Sequence, residues 1–367
     1  MSIETLPRSI EVEYWVIDDS GHLTTPGSLV DAADTVEREF VKPLLEIKTP
    51  PCDTMGELRD ALLTRLEAVL TQAEREGKHL VPLGTPLTDT EIKALDSERT
   101  KIQKQAVGNK FDYVCHCAGT HIHVEQIPGH EADQINLLTA LDPALALLNS
   151  SPGYRHDLGV PGTRSKLYRW LAYDEIKQQG RLWPYISSTT EWDQRLEEGY
   201  EHFRSAALQA GVERGVVSEH FNPDTAVWVP VKLRSEFPTV EWRSPDTALP
   251  SDVLQIASTI SDLMERLPLV DVEIGGDSGG VSDGTISLPT FDVVQEYTRD
   301  AIQQGLESDP LQAYLYQMGF EPRRYDPIAH DISIQQGISS TQAEQIRKKY
   351  AKKLKKDVQR IQSRNIA

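Results

Sequence analysis

Residues 10–17, Ile-Glu-Val-Glu-Tyr-Trp-Val-Ile, read as a β-strand: β-branched and aromatic side chains dominate and no Gly or Pro interrupts them. Side chains alternate across a strand, so Glu11 and Glu13 share one face. Two carboxylates in so apolar a run are costly, because burial and mutual repulsion both oppose their charge. The anomaly recurs. Phe40–Lys48 (FVKPLLEIK) sets Glu46 between Leu45 and Ile47, and Thr239–Arg243 (TVEWR) sets Glu241 between Val240 and Trp242. A solvent-facing side would accommodate any one of these glutamates. Recurrence in three separate strands points to a sheet face built around divalent cations such as Mg²⁺, which take carboxylate oxygens and bridge them to phosphates.

The rest of the chain supplies helices and further strands. Thr54 and Glu57 stand in capping-box register ahead of an apolar stripe (Leu58, Leu62, Leu66, Val69, Ala73) that ends at Gly77. His79–Leu87 reads as a buried strand and turn, and the polar Asp89–Lys110 as a long mobile loop. Tyr113–Ile127 reads as a strand. Ile135–Asn149 is a helix that Pro143 should kink or split. Ser151–Arg169 is a loop, Trp192–Phe203 lies at helical spacing, Ala226–Arg234 and Thr239–Arg243 form a strand pair, and Ser251–Leu267 is a helix. Gly275–Gly284 is a glycine-rich turn between two short strands. This order predicts an α+β fold with a mostly antiparallel sheet and flanking helices.

Composition narrows the function classes. The 367 residues are 39% hydrophobic and carry a net charge of −18, which excludes disorder and makes a phosphate-neutralising nucleic-acid binder a poor fit. Three cysteines exclude a disulfide framework and suit a reducing cytoplasm. The opening MSIETLPRSIEVEYW lacks the pattern of a signal peptide, and no apolar run is long enough to span a membrane. Residues 341–367 differ from the rest: nine are basic and two acidic. Ile346, Tyr350, Leu354, Val358 and Ile361 recur at helical spacing, so this is an amphipathic helix docked by its apolar face with a solvated basic side. The expected organisation is one domain over 1–340 followed by that helix.

Two motifs compete with the cation reading. In CHCAGTHIHVE, Cys115, Cys117, His121, His123 and Glu125 share parity. A flat strand would spread them ~7 Å apart per pair, too far for one zinc ion, so histidine service in a carboxylate-rich Mg²⁺ or Mn²⁺ site is favoured. Gly276–Gly280 spells GDSGG, but no partner histidine in a protease-like setting accompanies Ser278, and a polar turn explains it better. Neither a Walker A loop nor GxGxxG is present.

Taken in order, IEVEYWVID (10–18), EFVKPLLEIKTPPCD (39–53), LVPLGTPL, CAGTHIHVE (117–125), NLLTALDPALALLNSSP (136–152), LWPY and TVEWRSPDTALPS (239–251) resemble the glutamate–cysteine ligase family of the carboxylate–amine ligase type, with the look of its haloarchaeal members. The resemblance implies a glutamine-synthetase-like fold, a curved antiparallel sheet holding ATP, Mg²⁺ or Mn²⁺, and glutamate. It also implies formation of γ-glutamyl phosphate and its capture by the amine of cysteine. Carried onto this sequence, it makes Glu11, Glu13, Glu39, Glu46, His121 and Glu241 metal ligands. It directs Arg243 at phosphate and places Arg164 among the substrate- or nucleotide-contacting residues. The small-molecule substrates would be glutamate and cysteine, with neither nucleic acid nor membrane as partner and with homo-oligomers allowed. A different acceptor amine, or a binding protein without catalysis, are the alternatives.

Overall fold

The strand that anchors the sequence reading is longer than its apolar core. β1 spans Arg8–Asp18 and is the spine of a seven-stranded sheet. Its partners are β2 (Val36–Arg38), β3 (Leu44–Lys48), β4 (Lys78–Val81), β5 (Thr120–Glu125), β6 (Val231–Leu233) and β7 (Thr239–Trp242). The order is β2-β3-β1-β5-β7-β6, every pairing is antiparallel, and β4 pairs with the second half of β1. The computed structural model describes residues 5–88, 90–155, 157–176, 178–332 and 337–364. Asp89, in one of the predicted segments, lies outside the described residues.

Alternation gives the sheet two unlike faces. Ile10, Val12, Tyr14 and Val16 are fully buried on one, with Leu45, Ile47, Ile122, Val124, Val240 and Trp242. The helices Met55–Arg75 and Pro250–Arg266 cover that face with Leu58, Leu62, Leu66, Ile256 and Ile260. The Met55 helix starts at the expected capping box of Thr54 and Glu57. The opposite face is apolar at one end, where Trp15, Ile17, Leu44 and Val81 join Phe111, Val114 and Tyr173. At its other end it carries the charges. There the register lines up Glu37, Glu46 and Glu13 in one cross-strand row and Lys48, Glu11 and His121 in the next. His123, Glu241 and Lys232 make a third row.

Several local readings change. Asp89–Lys110 is not a loop throughout: Glu98–Val107 is a helix, with the Ser97 hydroxyl capping Thr100 N. Its composition is polar because one side faces solvent and another faces a polar cavity. Tyr113–Ile127 is not one strand. Phe111–Cys115 is a short helix, and pairing begins at Thr120, so Cys115 and Cys117 do not share a strand face with the histidines. β3 begins at Leu44, after Pro43, and Glu39 precedes it. Ser151–Arg169 holds two short strands and a helical turn. Pro143 does split its segment, into the helix Glu131–Leu141 and a 3₁₀ stretch, Asp142–Leu148. Ser278 sits in an exposed turn. The basic helix spans Ser340–Arg364 and buries Tyr350, Leu354 and Val358, while Lys349, Lys352 and Lys356 face outward.

One buried carboxylate ties the end of β7 to the helical layer. Asp142 is wholly buried and receives Arg169 Nη1 at 2.6 Å, Arg169 Nη2 at 3.1 Å, Trp242 Nε1 at 3.1 Å and the Ser244 hydroxyl. Asp142→Ala would leave the buried Arg169 guanidinium without its counter-charge. Chemical denaturation should show a loss of ~3–5 kcal/mol; a loss below ~1 kcal/mol would contradict this role.

Candidate active site

The charged end of the sheet floors a cavity of about 960 Å³, walled by the helix Glu98–Val107 and by Phe111, Tyr168, Tyr173 and Trp228. Three groups of potential ligands stand at this floor: Glu11–His123–Glu241, Glu11–Glu46–His121 and Glu13–Glu39–Glu46, with Glu241 wholly buried beneath it rather than lining the cavity. Within each, one ligand atom per residue lies within 4.8 Å of the others. Adjacent groups share Glu11 or Glu46, so the three form a chain across the strands. All six residues expected as ligands are brought together, and His123 joins them.

Some of these polar atoms are in direct hydrogen-bond contact and others stand too far apart for it. His121 Nδ1 is 3.0 Å from Glu11 Oε2 and 3.7 Å from Glu241 Oε1. His123 Nε2 is 3.7 Å from oxygens of both Glu11 and Glu241, and it is buried without a hydrogen-bond partner. Its other nitrogen, Nδ1, bonds the Thr239 hydroxyl at 3.2 Å, which fixes the ring and leaves Nε2 free to ligate. Carboxylates with such an orphaned imidazole nitrogen suit a hard divalent cation.

Electrostatics divides the floor. Burial and the neighbouring Glu46 push Glu13 up to about 7, even though the Gly119 N–H donates to it at 2.6 Å. Burial and Glu13 likewise raise Glu39 to about 7, and burial with Glu39 and Glu11 holds Glu46 well above the usual carboxylate range. Lys48, 2.9 Å from Glu46, offsets part of this. At the other side, burial opposes charge on Glu11 and Glu241, but the hydrogen-bonding and charged groups around them win. His121 and His123 hold Glu11 far below its ordinary value, and Arg243 with both histidines does the same for Glu241. Burial and Arg243 bring His121 down to about 4, which leaves it neutral, the form that ligates metals. The two halves therefore differ: one holds its charge with arginine and histidine, and the other is only partly compensated.

Glu241 is held by two arginines. Arg243 Nη1 pairs with its Oε1, and Arg234 Nη1 lies 3.1 Å from its Oε2. Both arginines line the cavity. Arg164 does too; it is nearly buried, donates to Ser244 O at 3.0 Å, and keeps an unpartnered Nε. The arginine lies flat over Gly119, where any Cβ would overlap the guanidinium. Gly84 meets Asp246 in the same way. Asp246 in turn accepts Ser150 N at 2.9 Å, and Ser150 Oγ accepts Gly84 N at 2.7 Å. Thus Gly84, Gly119, Ser150 and Asp246, each inside a recognisable motif, are packing partners beneath the cavity.

His123, Arg234 and Lys48 belong to the floor as well; the family resemblance carries over only His121 of the two histidines and Arg243 and Arg164 of the arginines, although the strand pattern already allows either histidine a place at the metal site. Their parity with His121 and Glu46, and the position of Arg234 across the hairpin from Thr239, were available signals. The CHC cysteines carry no metal group among the described residues; burial pushes both thiols up to about 12, away from the thiolate a metal needs.

Known proteins resemble this chain in sequence and in fold. The glutamate–cysteine ligase from Natronomonas pharaonis is 26% identical over 273 residues, covering 70% of this chain and 69% of that one. A bifunctional glutathione synthetase from Pasteurella multocida superposes with a TM-score of 0.59 at 16% identity, over 96% of this chain and 53% of its own. This chain therefore spans about half of that protein. A glutamate–cysteine ligase from Francisella tularensis, solved in complex with AMP, gives 0.53 at 14% identity, covering 96% and 77%. These structures share the α+β, glutamine-synthetase-like ligase fold expected from the sequence. The model of glutamate-cysteine ligase family 2 (GCS2) matches residues 10–280, from the first carboxylate strand past β7 and the helix behind it, and the chain belongs to that family.

Proposed function

We propose that this protein is an ATP-dependent ligase joining the γ-carboxylate of glutamate to the amine of cysteine, through γ-glutamyl phosphate, to give γ-glutamylcysteine. The observation that carries the reading is the chain of three ligand groups on one sheet face, with Arg243 and Arg234 beside the last of them. A carboxylate oxygen of glutamate displaces ADP from the γ-phosphorus, and the amine then displaces inorganic phosphate from the acyl carbon. Such chemistry needs positioned positive charge on the phosphoryl group more than it needs an acid–base residue.

Glu11, Glu13, Glu39, Glu46, His121, His123 and Glu241 would hold Mg²⁺ or Mn²⁺, whose contribution is to neutralise and align the phosphate oxygens. Arg243 would grip the γ-phosphate through its planar fork, and Arg164 would contact substrate or nucleotide. The enclosed wall of Tyr168, Tyr173 and Phe111 would keep water from the acyl phosphate. A cytoplasmic setting agrees with three free cysteines. Another acceptor amine is the second reading, since the cation floor would serve any amine equally.

Phosphate release from ATP with Mg²⁺ and glutamate, run against a panel of amines, tests the assignment: turnover should be strong with cysteine, and strong turnover with a different amine alone would move the protein to the second reading. Arg243→Lys separates a phosphate grip from a simple ion pair with Glu241. The lysine keeps the charge and loses the fork, so kcat should fall ~100-fold or more with KM for ATP less affected; a kcat within a few-fold of wild type refutes the grip.

The cation assignment also has a signature in stability. Glu13 and Glu39 titrate near 7 in the fold and near 4.5 unfolded, so the folded state retains protons that the unfolded state has lost. Without metal, the melting temperature should therefore fall as pH rises from about 4.5 to about 7 and then level off. Glu13→Gln should flatten the fall while lowering turnover by orders of magnitude. Added Mg²⁺ should raise the melting point more at pH 8 than at pH 5.5; equal shifts at both would count against carboxylate ligation.

A further inference from the structure

Phe237 is an exception among the aromatic residues of the cavity. It lies in the turn between β6 and β7, lines the cavity, and is 65% exposed. The other rings of the wall are engaged. Tyr173 stacks on Trp228, Tyr168 meets the edge of Tyr173, Phe40 packs on Phe111, and Trp228 also receives Phe203 and Phe221. Among the described residues Phe237 has no ring contact. Thr239 N bonds Phe237 O at 2.6 Å, and Arg234 N bonds Thr239 O at 2.9 Å, so the backbone of the turn is held even though the ring is free.

Resting on the ATP-dependent reading above, we infer that Phe237 is the side chain on which the base of the nucleotide stacks. Phe237 and Glu241 are four positions apart along the chain, so their Cα atoms are at most ~14 Å apart. That span is comparable to the reach of an extended nucleoside triphosphate from its terminal phosphate to its base. Between them lie Thr239 and Arg234, the polar stretch a phosphate chain would cross. The reactive end must be the enclosed one, because an acyl phosphate is open to hydrolysis. Arg164, Tyr168 and Phe111 close that end. The base takes no part in bond making, so it can occupy the open end, and a free aromatic face there has the chemistry to receive it.

Binding of ATP and of inorganic tripolyphosphate, each with Mg²⁺, to wild type, Phe237→Ala and Phe237→Trp tests this. Phe237→Ala should weaken ATP ~10-fold or more and leave tripolyphosphate unchanged. Phe237→Trp should bind ATP as wild type does, and kcat at saturating ATP should stay within a few-fold in both variants. Unchanged ATP affinity in Phe237→Ala overturns the inference and leaves the ligase reading intact. Equal weakening of ATP and tripolyphosphate also overturns it, since the turn rather than the base contact would then be at fault. Wild type that binds neither probe overturns the ATP reading itself, and this inference with it.

Discussion

Five glutamates crowd one end of one sheet face, and the rest of the site follows from how their repulsion is managed. An antiparallel register sets Glu13 directly opposite Glu46 and Glu11 opposite His121. Like charges facing each other across strands are unfavourable. The fold tolerates them because the other face of the same strands is predominantly apolar and buries Ile10, Val12, Ile47, Ile122 and Val240 beneath two helices. The hydrophobic face fixes the register, since a slip of one residue would turn the glutamates into the core. The same register thus positions the carboxylates.

Management of the charge is uneven, and the unevenness is informative. Arg243, Arg234 and the two histidines surround Glu241 and Glu11, so that side holds its charge unaided. Glu13, Glu39 and Glu46 have Lys48 and a backbone N–H and remain under-compensated. On the proposed reading, a bound cation would compensate the second group directly. At the first, it would meet carboxylates already paired with arginines that could also face a phosphate. Beneath both, the Gly119–Arg164 and Gly84–Asp246 contacts and the Asp142 network hold the strand ends and loops that frame the cavity. Ordinary packing explains why those motifs contain glycine and a buried aspartate.

Much of this was legible from alternation alone. Glu11, Glu13, Glu46 and Glu241 stand out because each interrupts an apolar period-two pattern, and Pro143 and the Thr54–Glu57 box mark helix boundaries by backbone chemistry. Glu39 was not legible this way. It lies outside a strand and reaches the floor through a loop whose Glu39 N bonds Leu44 O. The helix Glu98–Val107 was missed because it buries few side chains, Thr100 and Ile102 among them, so no apolar stripe announces it. The strand over CHCAGTHIHVE was drawn too long because alternation continues through Cys115 and Cys117, while the backbone there is helical and then irregular. Spacing places Arg243 beside Glu241 on one strand face, whereas the second partner, Arg234, comes from across the hairpin.

On the proposed reading, this carboxylate floor serves transfer of a phosphoryl group onto a carboxylate. That role is tested most directly with glutamate labelled with ¹⁸O in its γ-carboxylate. During turnover with ATP, Mg²⁺ and the acceptor amine, the account predicts that one labelled oxygen per turnover appears in the released inorganic phosphate, because the acyl phosphate breaks between carbon and that oxygen. Product formation with unlabelled phosphate would contradict it.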